Sequence, residues 1–148
     1  MRPLATGRAG RDSAGMTIDR LAHRWPTFLA LALAVVTFAD GSPPAGFLAS
    51  LLVAMPVCYL VFGALRGELR RRRTLGVQLL GLAGFTAVAL LALSVSVPLA
   101  LYVVAAGWLG HAVWDFVHLR SGAVVPRAWA EWCGVVDASG ALAIALLA

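Results

Sequence analysis

Between residues 45 and 148 the sequence consists of four apolar runs, 45–65, 74–94, 99–119 and 128–148, parted only by short connections. Each is close to the roughly 20 residues that a helix needs to cross the hydrocarbon core of a bilayer. No water reaches that depth, so a crossing chain must satisfy its backbone groups within itself, and helices are the expected element. Composition agrees, because 61% of the residues are hydrophobic and only 13% are charged, against about 25% charged in a soluble domain.

A fifth and shorter run covers about 25–39, where Leu21 and a snorkelling Arg24 can lengthen it. Asp40-Gly41-Ser42-Pro43-Pro44 closes it as a turn. The same run can be read as a signal peptide, since Arg20 and Arg24 precede a short apolar core and Thr37-Phe38-Ala39 loosely fits a small-residue cleavage site. Both readings place Asp40 outside. Residues 1–20, with Arg2, Arg8, Arg11 and Arg20 among Gly, Ala, Ser and Asp, bury too little apolar surface to order and are expected as a cytoplasmic tail. Residues 21–148 then form one transmembrane domain, all-α, with five spans.

Charge orients those spans. The formal charge of +5 comes from 12 arginines and no lysine. Arg70, Arg71, Arg72 and Arg73 follow the second span, and Arg120 and Arg127 lie in the loop after the fourth. Positive residues beside span ends stay in the cytoplasm, which puts the N-terminus inside and the C-terminus outside. The arginine run is most simply a topology determinant and secondarily a contact for anionic lipid headgroups. These charges flank apolar spans rather than interleave with aromatics, so nucleic acid is not an expected partner. Cys58 and Cys133 both lie in apolar spans and read as free thiols.

Inside the fourth run stand His111, Asp115 and His118, where ionisable groups cost several kcal/mol and are functional by default. At 100° per residue they fall within an arc of roughly 60° on one helix face. The short loop to the fifth span makes the two helices antiparallel neighbours. Counting down from their shared end at about 1.5 Å per residue sets His118 level with Trp129, Asp115 with Cys133, and His111 with Asp137. Gln78, Cys58 and Tyr59 sit at similar depth on other spans, and any polar cavity is expected to open to the cytoplasm.

Three readings fit this stripe. The groups can pair as interhelical hydrogen bonds worth about 0.6 kcal/mol each. His111, Asp115, His118 and Asp137 can instead bind zinc, iron or manganese, with Trp114, Trp129 and Cys133 lining the site, and activate water against a membrane lipid. Or the same groups can relay protons or pass a small cation. No His-Glu-x2-His, Gly-x-Ser-x-Gly or phosphate-cradling motif is present to choose among them. In the second span, Gly46, Ser50, Ala54 and Cys58 recur every four residues, and the face Gly46, Ser50, Ala54 invites a second copy or another membrane protein.

His111-Ala112-x-Trp114-Asp115-x2-His118, followed by Val125-Pro126-Arg127, Trp129, Cys133 and Asp137, resembles a group of small bacterial integral membrane proteins of no known activity. The likeness covers the last forty residues or so. It implies a multi-pass protein of the bacterial inner (cytoplasmic) membrane and no particular chemistry.

Overall fold

The computed structural model describes residues 24–148, so the expected tail 1–20 and the extension at Leu21 lie outside the described residues. Five helices follow in order: α1 (Trp25–Phe38), α2 (Ala45–Leu65), α3 (Arg72–Leu93), α4 (Val97–Ser121) and α5 (Arg127–Leu147). A single 3₁₀ turn, Glu68–Arg70, joins α2 to α3.

Proline and glycine set most of the boundaries. Pro26 and Pro98 occupy the first turns of α1 and α4, where a missing N–H costs nothing. Pro44 and Pro126 precede α2 and α5 in extended conformation and offer their carbonyls to the first helical turn. Gly122, at φ 62°, ends α4 in the left-handed conformation that a residue with Cβ resists, and its N–H reaches the His118 carbonyl. Helices α2 to α5 are each long and apolar enough to cross a membrane. With 14 residues, α1 is only about 21 Å long against roughly 30 Å of hydrocarbon.

The most extensive helix pair is α4 with α5; α3 and α2 also pack on α4, while α1 lies along α5. Arg24 and Thr27 fasten α1 to α5 through Glu131, the threonine hydroxyl donating at 2.6 Å and the guanidinium at 3.4 Å. Arg66 bridges the two connections at the same end, donating to the carbonyls of Ala123 and Gly122 at 3.1 and 3.2 Å. These bonds satisfy carbonyls beyond the C-terminus of α4 that would otherwise depend on water.

Every described arginine, from Arg24 and Arg66 through Arg70–Arg73 to Arg120 and Arg127, falls at this one end of the bundle. The outer surface between the ends is apolar, with Val36, Leu80 and Leu146 about three-quarters exposed. Its interior combines many small residues and a polar group with a few large apolar side chains. Such a distribution suits a solvent of lipid chains, in which helices associate through close packing.

Two layers make up the interior. Toward the end away from the arginines, Leu48, Leu52, Ala89, Val104, Trp108, Ala141 and Ile144 form an apolar core. A Cβ at residue 140 would stand 2.5 Å from the Trp108 ring, so Gly140 is what admits that ring between α4 and α5. Toward the arginine end Tyr59, Gln78, His111, Asp115, His118 and Asp137 are buried, beside a smaller apolar cluster of Val124, Val125 and Ala130.

Candidate functional site

Helices α4 and α5 approach closely beside Asp115. A Cβ at residue 134 would lie 3.2 Å from the Asp115 Cβ, so Gly134 lets the two backbones approach at that level. Asp115 therefore sits one residue from the Cys133 level expected of it. His111 meets Asp137 at the depth the helical rise indicates, with 2.7 Å between Nδ1 and the Asp137 carboxylate.

Both carboxylates turn toward that one imidazole. Asp115 Oδ2 lies 3.3 Å from His111 Nδ1, the same nitrogen that Asp137 contacts. The other Asp115 oxygen accepts a short hydrogen bond from the Tyr59 hydroxyl, which comes from α2. All three residues of the cluster are buried, and their candidate ligand atoms lie within 4.8 Å of one another. Asp115 Oδ2 and His111 Nε2 have no hydrogen-bond partner. An unpaired carboxylate oxygen in this setting is costly, and it stands where a cation between the three side chains would be bound.

His118 is not in this group. Its Nε2 pairs with the Gln78 side chain of α3 at 2.9 Å and its Nδ1 faces the Trp114 carbonyl at 2.9 Å. The Tyr59 ring lies against it edge-on, with centroids 4.8 Å apart, and so stands beside both histidines. Although His118 shares the helical stripe of His111, seven residues put it about 10 Å further along the axis, too far to share one ion. Trp114 also belongs to the α3 side, against Phe85 and Gly81.

Trp129 and Cys133 line a different space. They bound a cavity of about 340 Å³ together with Asp137, Tyr59, Trp108 and Trp132, and Leu33, Leu51, Ala54, Met55, Cys58 and Val136 complete its walls. Its lining is overwhelmingly apolar, because the Asp137 and Asp115 carboxylates face His111 rather than the void. The small-residue stripe of α2, Gly46, Ser50, Ala54 and Cys58, faces outward, and its last two members reach this cavity. Both thiols are free.

Tyr59 and Gln78 had a signal in the sequence only as polar residues at matching depth. No family model, curated protein or solved structure matches the chain.

Proposed function

We propose that His111, Asp115 and Asp137 hold one divalent metal ion, zinc, iron or manganese, within the membrane, and that the protein is a metal-dependent enzyme acting on a membrane lipid. The observation that carries this reading is the convergence of two buried carboxylates on His111 Nδ1, with Asp115 Oδ2 left without a hydrogen-bond partner. Two carboxylates and a neutral imidazole bring a charge of −2 into a medium where each buried ion costs several kcal/mol, and a divalent cation cancels it. Two oxygens and one nitrogen form a ligand set that these metals accept, leaving room for water in an open position. Bound there, the metal would make water a nucleophile at neutral pH. Tyr59, bonded to the other Asp115 oxygen, orients the carboxylate toward the metal as outer partners of ligands do.

Purified protein should retain near-stoichiometric metal, and His111→Ala should lose it while remaining folded in the membrane. Metal-free wild-type protein would defeat the reading. A relay of protons is the rival, supported by the run of contacts from Tyr59 through Asp115 and His111 to Asp137. It predicts function without metal.

The gathering of arginines at one end supports a cytoplasmic location for that end in a bacterial inner membrane, with α1 counted as the first of five spans. A reporter fused after Ala148 should then read outside, and a cytoplasmic reading would remove this topology.

A further inference from the structure

The cavity beside the cluster has the position and shape of a lipid site. At about 340 Å³ it is at the low end of the roughly 300–1,000 Å³ of small-molecule pockets. Its exposed lining residues, Leu33 of α1, Ala54 and Cys58 of α2 and Trp129 of α5, mark a mouth on the flank of the bundle. Behind them Trp108 and Trp132 supply flat apolar walls. Along α5 the cavity runs from Trp129 to Asp137, about 12 Å of helix axis, compared with roughly 15 Å for one leaflet's share of the hydrocarbon core. One acyl chain of one leaflet matches that depth.

Two further features choose the kind of lipid. Trp132 Nε1 is buried with no acceptor, in a side chain that lines the cavity. An ester carbonyl supplies one. The end at which Trp129 stands is also the end that carries Arg24, Arg66, Arg70–Arg73, Arg120 and Arg127, so the headgroup of a chain held here would lie among guanidinium groups.

We infer that the cavity binds one acyl chain of an anionic glycerolipid, which enters from the bilayer between α1 and α2 and offers an ester carbonyl to the Trp132 indole N–H. Asp137 and Tyr59 form part of the same wall, so the bound chain lies against the proposed metal site. The inference rests on the metal reading for the lipid's role as substrate, whereas the binding itself requires no metal.

The test uses the full chain in phosphatidylcholine vesicles containing phosphatidylglycerol with a diazirine midway along one acyl chain. After illumination, labelled peptides are mapped by mass spectrometry. Label should concentrate on Met55, Cys58 and Cys133 over Leu80 and Leu90, which face lipid on α3. Ala54→Phe, at the exposed mouth, should lower cavity labelling roughly tenfold by overfilling the space, with labelling of α3 unchanged. Trp132→Phe keeps the ring, loses the donor and should lower it about threefold to tenfold.

Labelling that merely follows exposure, or that ignores Ala54→Phe and the independent mouth variant Cys58→Phe, would overturn the inference. So would equal cavity labelling by a phosphatidylcholine probe, or a Cys58–Cys58 link between two copies through the same cleft. Metal content separates the two proposals. Asp115→Asn should abolish metal and leave labelling intact, while Ala54→Phe should do the reverse. Retained metal with undirected labelling would sink the lipid site alone, and directed labelling without metal would sink the metal site alone.

Discussion

At the end away from the arginines, the space between α4 and α5 is filled by the Trp108 ring lying over Gly140, with Leu48, Val104 and Ile144 around it. One to two turns closer to the arginines, the same helices spend their interface on His111, Asp115, Asp137 and the Tyr59 hydroxyl. Close packing of small and apolar side chains suffices to hold membrane helices together, and the first region uses little else. The second region buries two carboxylates where one interhelical hydrogen bond returns only about 0.6 kcal/mol. On the metal reading proposed above, cohesion belongs to one half and chemistry to the other.

Substitutions in the two halves should therefore separate stability from metal binding. The largest stability effect belongs to Ile144→Ala, which opens a cavity in the fully buried apolar layer and should cost about 2–5 kcal/mol. Its metal content should match wild type. Reversible unfolding in detergent, followed by near-ultraviolet circular dichroism, measures the first quantity and elemental analysis the second. Loss of metal in this variant would erase the division between the halves.

Tyr59→Phe should have the next effect and the opposite pattern. Removing the hydroxyl that orients Asp115 should weaken metal affinity about 10–100-fold, as outer-partner substitutions do, in a competition titration against a chelator. Unchanged affinity would show that Asp115 needs no orienting partner. The smallest effect is expected from Gln78→Leu, which severs the bond to His118 on the far side of Tyr59. A stability change near the 0.6 kcal/mol average for such bonds, with full metal content, would place His118 among the struts. Metal loss there would bring His118 back into the ligand set.

Much of this division is legible along the chain. Pro26, Pro44, Pro98 and Pro126 announce helix starts, and a short loop plus the helical rise is enough to set His111 opposite Asp137. Rotation is what the sequence leaves open. Helices α2 and α3 are apolar nearly all round, so no periodic stripe reveals which face turns inward, and the pairing of Tyr59 with Asp115 and of Gln78 with His118 emerges only from packing. His118 shares the stripe of His111 and so reads as a ligand along the sequence, whereas the axial distance of about 10 Å between them argues against one common ion. The cavity beside the cluster is apolar because carboxylates that face an imidazole leave the neighbouring void to tryptophan.

X-ray absorption at the metal edge of the purified, wild-type protein tests the central claim most directly. Coordination by His111, Asp115 and Asp137 predicts a first shell of oxygen and nitrogen alone, at about 2.0–2.2 Å, with the outer scattering of a single imidazole. Protein that carries no metal, a sulfur scatterer near 2.3 Å from Cys133, or two imidazoles in the shell would contradict it.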